Sequence, residues 1–120
     1  MKMLILVALL SSLATLVMVF GVAGAELPKK VKFENAKVRV SEVTYPPGTR
    51  RARYIRPTDQ VIVFMDDCKY RRTDSKTGEK TVRERKSGDA IFHEKGEDAP
   101  VLENLGTKPY RTMVIELLRP

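Results

Sequence analysis

Eight consecutive residues, Arg53-Tyr54-Ile55-Arg56-Pro57-Thr58-Asp59-Gln60, bring together two guanidiniums, a phenol and a primary amide. A guanidinium is a planar, permanent cation that donates hydrogen bonds and accepts none, a shape that fits the paired oxygens of a carboxylate or phosphate. The Tyr54 phenol and the Gln60 amide add neutral hydrogen bonds. His93, the single histidine of the chain, follows the run Ala90-Ile91-Phe92 and carries the side chain whose ordinary titration lies nearest neutral pH. Tyr54, Arg56, Gln60, Arg53 and His93 are therefore the candidate ligand-binding residues, and the ligand they suit is a small anion.

The same residues make poor metal ligands. A catalytic first-row metal takes imidazole nitrogen or carboxylate oxygen, commonly from three side chains, and keeps a position open. Arg56 has no acceptor atom, Tyr54 must first lose its proton, and Gln60 offers only a weak carbonyl oxygen. Neither a metal nor another cofactor is expected. His93 beside Glu94 has the makings of a general base, but no serine or cysteine is placed to complete a nucleophilic set, and a strand-end histidine is the plainer reading. No catalytic residue is assigned, and binding is favoured over turnover. Cys68 is the only cysteine, so no internal disulfide forms, and it reads as a packed small side chain.

These groups must be positioned by strands. From Val31 onward, short segments rich in Val, Ile, Tyr, Phe and Thr alternate with turn residues, and apolar positions recur at spacing two or in brief runs. One strand runs through Val38, Val40 and Val43 to the turn Pro46-Pro47-Gly48; others cover "QVIVFMD", "DAIFHE" and "YRTMVIELL". "CKYRRTD" and "KTVRERK" flank "SKTGE" as a hairpin. The pattern predicts an all-β sandwich or barrel, in which spacing two puts Tyr54 and Arg56 on one face. "VIVFM" and "MVIELL" are apolar on both faces, so the outer one needs a cover. The N-terminal segment or a second copy of the chain would supply it, which argues for a homodimer. In the hairpin, Lys69, Arg71 and Arg72 oppose Lys80, Arg83, Arg85 and Lys86. Like charges on paired strands repel, so this accumulation predicts an exposed surface for anionic polymers, lipid head groups or a partner protein.

From about Phe33 to the end, the order of elements resembles that of the cupins, small jelly-roll barrels recognised by the motifs G-x5-H-x-H-x3,4-E-x6-G and G-x5-P-x-G-x2-H-x3-N. Counting from Gly48, Tyr54 and Arg56 fall on the two histidines of the first motif, Gln60 on its glutamate and Asp67 on its closing glycine. Counting from Gly88, Glu94 falls on the proline of the second motif and Gly96 on its glycine, with Ala99 or Pro100 at the histidine and Asn104 at the asparagine. The resemblance implies a single cupin-like barrel over residues 26–120 that has kept its turns and lost every metal ligand. It further implies a pocket for a carboxylate or sugar acid, since cupins often handle such ligands. Arg56 would then either hold that ligand or pair with an internal acid such as Glu103 or Asp59 and plug the barrel. A cofactor-free isomerase or lyase, using His93 or Tyr54 for proton transfer, is the third class left open.

Residues 1–25 pair one early lysine, Lys2, with a long apolar run and the ending Ala23-Gly24-Ala25, the pattern of a secretory signal peptide. An uncleaved anchor is the alternative, because the run approaches the roughly 20 residues that span a bilayer. Cleavage leaves a periplasmic or secreted protein with no stable membrane insertion and no reason to meet nucleic acid. Without Lys2, 21 basic residues face 15 acidic ones, a net charge of +6 that favours anionic partners.

Overall fold

Alternation of inward and outward side chains sets the architecture. The computed structural model describes residues 26–118, and the predicted signal peptide, residues 1–25, lies outside the described residues. Every regular element among them is a strand: β1 (Lys29–Glu34), β2 (Val38–Tyr45), β3 (Arg50–Arg51), β4 (Tyr54–Ile55), β5 (Asp59–Phe64), β6 (Cys68–Thr73), β7 (Lys80–Arg85), β8 (Ala90–His93), β9 (Asp98–Ala99), β10 (Val101–Asn104) and β11 (Tyr110–Leu117). They form a five-stranded sheet in the order β1-β2-β11-β5-β8, a four-stranded sheet in the order β3-β10-β6-β7, and the short pair β4-β9. All ladders are antiparallel. This is an all-β barrel, one of the two architectures the strand pattern allows, in the jelly-roll form that the resemblance implies.

In β5, Gln60, Ile62 and Phe64 are buried while Asp59, Val61 and Val63 are half-buried, so one period-two set faces the interior. Tyr45 of β2 and Tyr110 of β11 bring rings to the same space, stacked with centroids 4.6 Å apart. Tyr70 of β6 meets Phe64 at 6.2 Å and Tyr110 at 6.3 Å, which joins the two large sheets through aromatic contact. Each such ring contributes about 1.5–3 kcal/mol by burial, so this cluster is the main cohesive element of a small core.

Turn chemistry fixes the ends of the strands that carry the candidate site. Gly48, Gly88 and Gly96 have φ of 71°, 93° and 88°, the left-handed region where a side chain would be strained. They are the three motif glycines, and their backbone shows why the scaffold keeps them. Asn104 is buried and ties three segments: its Nδ2 donates to the carbonyls of Tyr45 (2.8 Å) and Lys108 (2.9 Å), and its Oδ1 accepts from the Gly106 N–H (2.8 Å).

Two sequence expectations are revised. Among the described residues, the N-terminal stretch Lys29–Glu34 does not lie across the outer face; as β1 it extends the five-stranded sheet at its edge. The outer face thus presents an aligned apolar row of Phe33, Val40, Ile115, Val61 and Phe92, one from each strand, with Phe33 53% and Phe92 55% exposed. The β6–β7 hairpin, in turn, does not set like charges opposite one another. Its register pairs Lys69 with Glu84, Tyr70 with Arg83, Arg71 with Val82 and Arg72 with Thr81. Sequence composition counted the basic residues of both arms, whereas register decides which of them meet.

Candidate functional site

Arg56 is placed by its backbone. The following Pro57 disfavours helical geometry at Arg56, and both main-chain groups are paired: its N–H donates to Glu97 O (3.0 Å) and its carbonyl accepts from Gly96 N–H (2.9 Å). Its neighbour Ile55 is exposed, whereas the Arg56 side chain is turned inward and only 4% of the residue is exposed. There Nη1 donates to Gln60 Oε1 (3.0 Å) and to Tyr54 OH (3.3 Å). Gln60, buried on β5, lies directly opposite His93 in the β5–β8 ladder, so both side chains face the interior. Tyr54, Arg56, Gln60 and His93 are thus gathered around one region, while Arg53 is exposed and bound to Asp98 outside the cavity lining.

Two cavities meet at this region. The first, of about 230 Å³, is lined by Arg56 and His93 together with Arg51, Arg72, Arg83 and Arg85. The second, of about 310 Å³, takes in Tyr54, Gln60, Ser41 and Glu116. Tyr45, Arg51 and Ile62 border both, and the Arg56–Gln60 hydrogen bond stands between them. The five candidate residues are therefore split: two face the first cavity, two the second, and Arg53 neither.

Arginine is the dominant charge of the first cavity. Among the described residues, none of the ion pairs includes Arg51, Arg56, Arg72, Arg83 or Arg85. Arg51 instead donates to Tyr45 OH (3.2 Å) and to the carbonyl of Pro100, and its guanidinium lies 5.2 Å from the Tyr54 ring centre. Arg85 donates to Tyr70 OH (3.4 Å) and lies 5.7 Å from the centre of Phe64. The internal acids considered as partners for Arg56 are engaged elsewhere: Glu103 pairs with Arg71 at 3.2 Å, and Asp59 accepts the Lys95 N–H at 2.8 Å. Of the two acids on the cavity wall, Asp98 is bound to Arg53 and Ser75, while Glu97 lies 3.5 Å from His93 and acts on Arg56 by its charge without a direct ion pair.

The environment shifts the titrating groups in a consistent direction. Burial lowers the affinity of Arg56 for its proton, and the nearby Arg51 adds to this; a guanidinium starts so high that it stays charged. Burial, and then the charge of Arg56, hold His93 below the ordinary imidazole value, so it is neutral at pH 7. Burial pushes the phenols of Tyr45 and Tyr110 up, which keeps both as hydroxyl donors. Cys68, pushed up to about 11 by burial, remains a thiol. Five buried side-chain atoms have no hydrogen-bond partner among the described residues: Ser41 Oγ, Arg51 Nε, Arg56 Nε, Tyr110 OH and Thr112 Oγ1. All five border one cavity or the other, and all five can donate.

Comparison with solved structures gives the architecture its name. A cupin domain from Bordetella pertussis superposes with a TM-score of 0.70 at 18% identity, covering 82% of this chain and all of that one. The chain has the cupin fold. An RmlC-like cupin from Methanocaldococcus jannaschii matches with a TM-score of 0.60 at 8% identity, covering 78% of this chain and 81% of the other. A polyketide cyclase from Streptomyces resistomycificus matches at 0.64 and 13% identity, covering 80% and 68%. No protein-family model and no curated protein matches the sequence. At the motif positions of a metal-binding cupin, this cupin barrel places a phenol, a buried guanidinium, an amide and, at the last, either Ala99 or Pro100, both buried and neither with a side-chain donor atom for a metal. Donors and a permanent cation stand where a cation would need acceptors, so these residues do not fit a metal.

Sequence reasoning missed four of the cavity arginines as ligand-facing groups. Arg51 is not among the candidates read from the sequence, yet it lines the cavity, whereas its neighbours Arg50 and Arg53 do not. Arg72, Arg83 and Arg85 were assigned to an outer surface. The signal was present in the parity of the hairpin: Tyr70 and Arg72 share a face of β6, Arg83 and Arg85 share a face of β7, and Tyr70 is core.

Proposed function

We propose that the chain is a metal-free binding protein of the cupin fold, holding a small carboxylate or sugar acid in the first cavity with Arg56 as its principal charged contact. The observation that carries this reading is the set of five cavity arginines outside every ion pair. A buried guanidinium is costly without an anionic partner, and the unpartnered buried donors around it offer further hydrogen bonds to oxygen acceptors. Tyr110 and Thr112 would contact the bound oxyanion. The rim arginines would raise its local concentration.

The reading extends to setting and assembly. The pattern of residues 1–25 supports export to the periplasm or beyond. The apolar row from Phe33 to Phe92 supports a homodimer that buries the outer sheet face; Phe92→Glu should then convert dimer to monomer in light scattering.

The direct test is thermal unfolding of the purified protein with and without carboxylates, phosphates and sugar acids, alongside elemental analysis. A ligand that binds only the folded state must raise the midpoint. Arg56→Met should remove the shift while leaving the barrel folded. Stoichiometric metal, or a shift that survives Arg56→Met, would overturn the reading.

A further inference from the structure

The first cavity has two kinds of wall, ordered by depth. The buried part is apolar and aromatic: Phe64, Tyr70 and Tyr110 contribute ring surface, and Ile62, Ile91 and Leu102 fill between them. The outer part is cationic, with Arg51, Arg72 and Arg85 half-buried and Arg83 exposed; Arg56 alone reaches the buried level. A sugar acid brings several hydroxyls, for which this apolar and aromatic part of the wall offers few hydrogen-bond partners. A single carboxylate, moreover, engages one guanidinium fully in fork geometry, and the others would still converge with like charge. The wall acids offset them only in part: Asp98 is bound to Arg53, and Glu97, beside a neutral His93, sets one negative charge near Arg56 against five guanidiniums.

We infer that the ligand carries at least two anionic groups on one flat apolar ring, as a benzenedicarboxylate does. The ring lies against Phe64, Tyr70 and Tyr110. One anionic group meets Arg56 and Arg51, and the second meets Arg72, Arg83 and Arg85. Aromatic faces favour a flat ring by offset stacking, and a cavity of about 230 Å³ is smaller than the roughly 300–1,000 Å³ of pockets for drug-sized ligands. A single ring with its charged substituents suits that size. Carboxylate, sulfonate and phosphate groups share the required chemistry. The inference rests on the anion-binding reading above and narrows its ligand class.

Titration calorimetry with the three benzenedicarboxylate isomers, benzoate, succinate and galacturonate separates the two. At least one benzenedicarboxylate should bind about tenfold or more tightly than benzoate, which lacks the second charge, and than succinate, which lacks the ring. Arg83→Gln, a rim change that leaves the core intact, should weaken that dianion by about fivefold to tenfold and benzoate by less than about twofold. Phe64→Leu should shrink the gap between the dianionic arene and succinate. Equal binding of succinate or benzoate, tightest binding of galacturonate, or an Arg83→Gln effect equal on mono- and dianion would each overturn this inference while leaving anion binding in place. If none of the six compounds binds, both readings fail together.

Discussion

Arginines on the outside of the barrel and arginines lining its cavity have opposite circumstances. Arg39 reaches Glu34 at 2.9 Å and Glu116 at 3.3 Å, Arg71 reaches Glu103 at 3.2 Å, and Arg111 reaches Asp66 at 3.0 Å and Glu42 at 3.6 Å. Arg53 is bound to Asp98. The cavity set has phenols, a backbone carbonyl, an amide and aromatic faces as its neighbours instead. Four outer guanidiniums, those of Arg39, Arg53, Arg71 and Arg111, are held in direct ion pairs, whereas among the described residues the five inner ones are in none. The inner set feels carboxylates such as Glu97 only at longer range, which leaves most of its charge free to act on something else. The contrast matters more than the total of positive charge, which the sequence reports without saying where it is neutralised.

The largest change should come from the apolar wall that both readings share. Phe64→Ala removes a ring that is 4% exposed and leaves a cavity in the core, so it should cost about 3–5 kcal/mol in chemical denaturation. If the loss falls below about 1 kcal/mol, the aromatic cluster is not the cohesive element described here.

Next in size is an exchange that sets the two arginine classes against each other. Arg56→Met should abolish anion binding, a loss of about 30-fold or more, as when a buried charged contact is truncated. The same substitution should leave the unliganded midpoint unchanged or raise it, because a desolvated cation without a carboxylate is replaced by an apolar chain of similar length. Arg111→Met should do the reverse, lowering the midpoint modestly through loss of its contacts to Asp66 and Glu42 and leaving binding unaffected. Equal behaviour of the two variants in both assays would erase the distinction. An unfolded Arg56→Met protein would make Arg56 a structural plug, stabilised by Gln60 and Tyr54 in place of an acid.

Much of the fold was legible because period-two patterning and turn glycines act locally. Val38, Val40 and Val43 marked β2, the run from Val61 to Phe64 marked β5, and Gly48, Gly88 and Gly96 marked the turns that their positive φ requires. The substituted ligand positions were also readable, since Tyr54, Arg56 and Gln60 stand at fixed distances from Gly48. What the sequence could not supply was pairing between distant strands. The carboxylate given to Arg71 comes from Glu103, 32 positions away, and the inward turn of Arg83 depends on β7 pairing with β6 in one register. A shift of that register by one residue would send Arg83 and Arg85 outward and Val82 and Glu84 inward. The basic hairpin and the basic cavity are therefore the same sequence read in two registers.

The smallest of these effects concerns His93, the one group of the cavity able to change its charge near neutral pH. Arg56, Arg51 and Glu97 act on it, and in the unliganded protein burial followed by the charge of Arg56 holds it below its ordinary value. The unfolded chain, with an imidazole near 6.5, takes up its proton first as pH falls. Stability of the unliganded protein is thus fully present above about pH 6.5 and declines below it. A bound anion beside Arg56 changes the sign of the local field and favours imidazolium, so binding must draw in a proton over the same interval. Affinity for a dianion should therefore rise by several-fold between pH 7 and pH 5.5, while the unliganded midpoint falls. His93→Gln should flatten both profiles without removing binding at pH 7. If affinity stays constant across this range in the unaltered protein, the bound anion does not share the field of His93, and its charged groups sit only among the rim arginines.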